Sequence, residues 1–289
     1  MKRVKFQTEK GKIEFFIGNS YVLTSIDPDD AELDTQTETY IGTDGETEIE
    51  SLYRARTVTV KGYITAQNQA HLERLKRNMI RLLNGKDTGT LTLISNGNEF
   101  FAESRAESLP AFGDVIQNMQ SFICYFKIPS FYWKRTDKRG NVKQVYKRIN
   151  MITQDVDISN GVVLTKRISE GSIVNNGDTA GDMIITIVCN FAGTSSESGS
   201  VIIENLTTGE KMTVKHKLVT GEKIIINTEN SSIKSYVNGT VTNILHKLEG
   251  DFIKLPVGSN VIKVTNNNED ADISLTVEYY DKLAGVGIC

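Results

Sequence analysis

Cysteine, proline, histidine and tryptophan are all scarce: three, four, three and one among 289 residues. Each scarcity removes a class of protein. Cys124, Cys189 and Cys289 are too few, odd in number and too scattered for a disulfide framework or a metal knuckle. Cys124 and Cys189 sit in apolar strand patterns (FICYF, IVC), where a buried small thiol is the natural reading, so folding in a reducing cytoplasm is expected. His71, His216 and His246 share no motif with one another or with the cysteines; His71 falls at a helix start and His216 in a strand. There is no H-E-x-x-H, C-x-x-C, G-x-S-x-G elbow, Walker loop or G-x-G-x-x-G. Glu46, Glu48 and Glu50 offer carboxylates on one strand, yet a glycosidase needs two placed across a sugar cleft. The expectation is a protein that is not an enzyme and needs no cofactor or metal. No stretch approaches the eighteen apolar residues of a membrane span, and MKRVKFQTEKGK lacks the apolar run of a secretory signal. A net charge of -3 also disfavours nucleic-acid binding by the chain as a whole.

What is present suits a soluble, mainly β protein of two domains: 39% apolar residues, 24% charged, and 23 glycines for tight turns. In residues 1–135, strands are expected at Lys12–Leu23, Thr57–Ile64, Thr90–Ile94, Asn98–Arg105 and Gln120–Ile128. Leu72, Leu75, Met79 and Leu82 recur at helical spacing and Asn84-Gly85 supplies a stop, giving one helix near 67–84 packed on the sheet. Ile128–Trp133 closes this domain. Residues 136–160 read as a basic linker or loop. In 161–289, short apolar strands (MIITIVC, SVIIEN, MTVKHKL, KIIIN, VIKV, ISLTVEYY) alternate with turns, the pattern of a sandwich or barrel rather than βαβ units, and an antiparallel sandwich is expected. Its most telling stretch is LPVGSNVIKVTNNNEDADISLTVEYYDK. Pro256 fixes φ, Gly258 permits φ > 0, Ser259 and Asn260 bond their own backbone, and Ile273, Leu275, Val277 and Tyr279 alternate with polar residues.

Four stretches, in order along the chain, resemble one family, the distal tail proteins of bacteriophages with long flexible tails. They are GTDGETEIESLYRARTVTVKGYI, FICYFKIPSFYWK, NNGDTAGDMIITI, and TGEKIIINTENSSIKSYVNG followed by LPVGSNVIKV and VEYYDK. The resemblance implies a split-barrel-like N-terminal belt domain followed by a galectin-like β-sandwich. It implies a structural virion protein of the tail tip, from a phage or prophage, made and assembled in the bacterial cytoplasm. Members form a hexameric ring between the tail tube protein and the tail-associated hub or lysin protein, and in baseplates anchor receptor-binding proteins. DNA passes through without being specifically bound. The alternative is a carbohydrate-binding module acting in adhesion to the host surface. Lectins of the galectin kind stack a sugar on tryptophan; here Trp133 lies at the domain junction, leaving Tyr236, Tyr279 and Tyr280 as substitutes.

Charge is sharply segregated. Between Asp27 and Glu50 stand ten carboxylates (Asp27, Asp29, Asp30, Glu32, Asp34, Glu38, Asp44, Glu46, Glu48 and Glu50) and no lysine or arginine. One reading is a solvated, self-repelling loop. Another, which follows from the ring, is a lumen lining or a subunit interface, six copies repelling DNA phosphates from the pore. The D-P-D-D and E-T-E-I-E runs lack EF-hand spacing for calcium. Conversely, Lys134–Arg148 holds seven basic residues against Asp137 alone. It is either an exposed linker or a docking segment in which Lys134, Arg135, Lys138 and Arg139 meet an acidic neighbour. Phe131, Tyr132 and Trp133 are candidate apolar anchors for a partner, or packing between the two domains.

Overall fold

The structure, a computed structural model, describes residues 2–28, 32–42, 44–135, 147–152, 170–192, 199–267 and 272–287. Two compact units emerge, Met1–Asn141 with Leu283–Cys289, and Val142–Lys282. Relative to the expected boundaries, the C-terminal tail joins the first unit, where Leu283 enters the core.

The first unit contains β1 (Arg3–Thr8), β2 (Gly11–Phe15), β3 (Tyr21–Asp27), β4 (Leu33–Glu38), β5 (Thr47–Tyr53), β6 (Arg56–Thr65) and α1 (Gln69–Leu82). It continues with β7 (Thr88–Ser95), β8 (Asn98–Ala106), β9 (Ala111–Ile116), β10 (Met119–Ile128) and β11 (Trp133–Arg135). The strands pair antiparallel in the order β2-β1-β7-β8-β10-β6-β3. β8 and β10 share only Phe126↔Ala106 and Lys127↔Arg105, so the barrel is split there. Period-two burial is clear in β6 and β10: Val58, Val60 and Ile64 point inward from one, Phe122, Cys124, Phe126 and Ile128 from the other. Phe6, Phe15 and Leu91 complete that core.

Helix α1 forms where its periodicity predicts. Asn68 caps it by accepting from the His71 amide at 2.8 Å. Leu72, Met79 and Leu82 face the core, and the Tyr21 hydroxyl donates to the Leu75 carbonyl at 2.9 Å, tying the helix to β3.

The second unit is a two-sheet sandwich. Its strands are β12 (Lys147–Ile152), β13 (Glu170–Asn175), β14 (Met183–Phe191), β15 (Val201–Asn205), β16 (Glu210–Val214) and β17 (Lys223–Asn227). β18 (Ser232–Val237), β19 (Thr240–Asn243), β20 (Leu248–Glu249), β21 (Gly258–Asn266) and β22 (Asp272–Tyr279) follow. One sheet runs β12-β22-β14-β17-β18-β19 and the other β13-β21-β15-β16-β20. Between them, isoleucine-rich inner faces (Ile185, Ile187, Ile203, Ile224, Ile226, Ile262) interdigitate as a sandwich core. One detail differs from expectation. The segment read as linker contains β12, which pairs with β22 through Lys147↔Tyr279 and Arg148↔Glu278, so the end of the basic run is sheet. β21 and β22, adjacent in sequence, lie in opposite sheets.

The P-V-G-S-N turn owes its form to a buried amide. Asn260 Nδ2 donates to the carbonyls of Pro256 (2.8 Å) and Gly258 (3.1 Å), while its Oδ1 accepts from Asn205 Nδ2 (3.0 Å). Gly258 takes φ +99.

Candidate functional site: the acidic hairpin and its root

The acidic stretch is a β-hairpin. Among the described residues β4 and β5 pair only with each other, from Leu33↔Tyr53 to Glu38↔Thr47, with a bulge between Gln36 and Thr37 that leaves Ile49 as the extra residue. Every described residue of β4 is exposed, as is all of β5 except half-buried Ser51. Neither face is buried, so the apolar alternation that betrays a strand is missing from LDTQTE, and the segment reads as a loop.

Two kinds of side chain share this ribbon. Asp44, Glu46, Glu48 and Glu50 are exposed and have no cation within ion-pair distance among the described residues. Arg54, at the root, holds Asp34 (3.3 Å) and Glu32 (3.8 Å), and its pKa is raised by the Asp34 hydrogen bond and the two negative charges. Asp27 ends β3 and is exposed, while Asp29 and Asp30 lie outside the described residues. Apolar side chains are interspersed: Leu33, Tyr40, Ile49, Leu52 and Tyr53 are at least half exposed and Ile41 entirely so. Six large apolar groups on one unsupported ribbon mark a surface that expects to be covered.

The root is rigid. The Tyr53 and Phe131 rings are 4.2 Å apart and nearly parallel, and the Arg56 guanidinium lies 4.3 Å from the Phe131 centroid. Arg56 Nη1 and Trp133 Nε1 both donate to the Pro28 carbonyl, at 3.1 and 3.2 Å, and Arg56 Nη2 donates to Ala284 O. Thus both ends of the hairpin segment are fastened, at Pro28 and at Tyr53–Arg56. This corrects the reading of the aromatic cluster. Phe131 (3% exposed) and Trp133 (0%) are buried in the first unit, Trp133 within the core and Phe131 between Tyr53 and Arg56 at the hairpin root, so neither ring can anchor a partner. Tyr132 is half-buried against Phe131. Lys134 and Arg135 lie in β11, opposite Phe101 and Phe100, half-buried and already engaged; Lys138 and Arg139 lie outside the described residues.

Two arrangements escaped the sequence reading. The first is on α1, where Arg74, Arg77 and Arg81 recur at helical spacing on the solvent side. The second is in the sandwich, where Glu222 is fully buried. Its carboxylate accepts from the Val219 amide (2.9 Å), from Ser235 Oγ and from His216 Nε2 (2.7 Å). Lys247 Nζ lies 2.8 Å from His216 Nδ1. His216 is not in a strand as expected: β16 ends at Val214, and the Lys215 and His216 amides bond Lys247 and Val214 instead. The network ties the loop after β16 to β18 and to the turn at Lys247. Among the described residues no cluster of three His, Cys, Asp or Glu could hold a metal. Burial pushes the Cys124 thiol pKa well above its usual range, leaving it unreactive. Tyr279 (4% exposed) and Tyr280 (7%) are packing residues, closed to sugar stacking.

Known proteins agree with this architecture. Residues 8–159 match the family model described as phage tail protein RIFT-related domain, and residues 176–282 that of the siphovirus-type tail component, C-terminal domain. In structure, the chain is similar to Dit of phage SPP1, with a TM-score of 0.65 at 11% identity, covering 96% of this chain and 98% of that one. A chain of the phage P2 baseplate gives a TM-score of 0.49 at 10% identity, with the same shares covered. No curated protein sequence matches. With more than half its length matched by the first model and most of the remainder by the second, the chain belongs to the siphovirus tail-component family, as a distal tail protein of the phage virion.

Proposed function

We propose that this chain is a non-enzymatic subunit of a six-membered ring at the phage tail tip. The ring joins the tail tube protein on one side to the tail-associated hub protein on the other. The sandwich serves as the platform for receptor-binding components, as in a hub of an adsorption apparatus. Subunits are made in the bacterial cytoplasm and add to the tail there, and the genome later passes through the ring without specific binding.

The observation that carries this reading is the exposed hairpin, a ribbon fastened at its root whose six large apolar groups are each at least half exposed. Self-assembly gives such a surface a purpose, provided each subunit buries on the order of 1,000 Å² or more with its neighbours. The carboxylates on the hairpin then either line the lumen, where they repel DNA phosphates, or meet the next subunit.

Light scattering and negative-stain imaging of the purified full chain provide the test. The expected result is a six-subunit mass and a ring with a central pore. A monomer at every concentration, with no binding to tail tube protein, would overturn the proposal.

A further inference from the structure

We propose that the hairpin of each subunit lies across the arginine face of α1 in the next subunit. This rests on the ring reading above and names the two surfaces that meet. The ribbon is one half. A two-stranded sheet is marginal in water by itself, and this one exposes Leu33, Ile41, Ile49, Leu52 and Tyr53. Its second strand adds Glu48 and Glu50, and the residue just before that strand is Glu46, none with a cation partner among the described residues.

The other half is α1. The helix buries Leu72, Met79 and Leu82 and turns Arg74, Arg77 and Arg81 outward, at spacings of three and four that share one face. None of these three guanidiniums has a carboxylate partner among the described residues; Arg81 reaches only the Asn78 amide, at 3.1 Å. Ile80, 38% exposed, borders this face beside Arg77 as an apolar contact. Glu73 is the sole acid of the helix and is held by Lys76 at 3.4 Å.

The two halves match in sign and in length. Glu46 to Glu50 spans at most about 13 Å of extended chain, less for the bulge at Ile49, and Arg74 to Arg81 about 10 Å along a helix. Three cations can therefore each reach a carboxylate while Ile49 and Leu52 cover Ile80. Within one subunit the hairpin and the helix leave each other's charges unpaired, so a second copy is the natural occupant. Because each copy offers one surface and receives on a different one, the contact is heterologous, the kind that closes into rings. Lys134 and Arg135 are poorer receivers, being half-buried and already engaged.

The test uses the full chain in three forms: wild type; Arg74→Glu, Arg77→Glu, Arg81→Glu; and that triple variant carrying Glu46→Lys, Glu48→Lys, Glu50→Lys as well. Mass photometry gives the assembly state and circular dichroism checks folding. The triple variant should remain folded but need a subunit concentration on the order of 100-fold higher to assemble. The six-fold charge swap should restore assembly. A photo-crosslinker at Ile41 or Leu52 should attach to α1 peptides of a neighbour. A wild type that never assembles sinks the ring itself. A wild-type ring that the triple variant forms equally well, or crosslinks falling outside α1, sinks this contact and leaves the ring standing.

Discussion

Tyr53 lies flat on Phe131, with 4.2 Å between ring centroids and 3° between planes, joining the last residue of an exposed hairpin to the segment that closes the first unit. Phe131 sits at φ +66, a conformation a bulky side chain keeps only where its surroundings over-determine it. Those surroundings are Tyr53, the Arg56 guanidinium and the Tyr132 ring. Losing Tyr53 removes an aromatic pair of about 0.5–1.5 kcal/mol. Tyr53→Ala should therefore lower the melting temperature of the first unit by only a few degrees, at about 2–4 °C per kcal/mol. Phe131→Ala, which empties a buried site, should cost about 3–5 kcal/mol. Limited proteolysis separates anchoring from mere stability: Tyr53→Ala should speed cleavage between Pro28 and Arg56 far more than elsewhere. Uniform acceleration along the chain would refute the clamp.

Asn260 holds the turn into β21 by spending its whole amide. Asn260→Ala orphans Asn205 Nδ2 and the carbonyls of Pro256 and Gly258. At about 1–3 kcal/mol for an unsatisfied buried group, a total near 3 kcal/mol is expected. Asn260→Asp should be worse, because its carboxylate faces two carbonyl oxygens with no donor to offer. Urea titration followed by circular dichroism ranks the two. An aspartate variant as stable as wild type would mean that the side chain points elsewhere.

The buried Glu222 makes a sharper, spectroscopic prediction. An ammonium can only donate, so Lys247 Nζ at 2.8 Å obliges His216 Nδ1 to accept. The ring proton then sits on Nε2 and is donated to Glu222, 2.7 Å away. Nitrogen chemical shifts of His216 should accordingly report the Nε2–H tautomer. Glu222→Ala leaves Ser235, the Val219 amide and His216 without their acceptor and should cost about 3–5 kcal/mol. A neutral ring protonated on Nδ1 would contradict the network.

How much of this was legible follows from what each segment buries. α1, β6, β10, β14 and β22 each press one face into a core, so their apolar periods stand out in the sequence, as Leu72–Met79 and Ile273–Leu275–Val277 do. The hairpin buries neither face and carries no such signal, so its charge is plain in the sequence and its strand pairing is not. Phe131 and Trp133 looked like surface anchors because aromatics at a domain edge suit either role; only the packing of Tyr53, Arg56 and Pro28 around them decides. The solvent face of the α1 arginines follows from the Leu72–Leu82 period, but that their guanidiniums meet no carboxylate among the described residues depends on which side chains the fold brings near them. The His216–Glu222–Lys247 contact joins residues up to 31 positions apart, beyond any local pattern.

Gly62 shows how tightly the barrel closes beside the root of the hairpin. It sits mid-strand in β6, opposite Leu23 of β3 on one side and Phe122 of β10 on the other. A Cβ there would lie 2.1 Å from the Val22 carbonyl oxygen and 2.7 Å from Phe122 Cζ. The first contact is backbone, held in place by the bulge between Leu23 and Ser25, so it cannot swing aside. Overpacking of this kind costs about 1–3 kcal/mol where side chains can yield, and more where they cannot. Gly62→Ala should therefore exceed 3 kcal/mol, or abolish folding of the first unit, as followed by Trp133 fluorescence during denaturation. Gly97→Ala is the matched control. Its Cβ meets nothing within 4 Å, and only its φ of +79 opposes the change, so its cost should stay near 1–2 kcal/mol. Equal costs at the two positions would mean that β3 and β10 do not close on β6 as described, and the hairpin would lose the rigid base from which it reaches a neighbour.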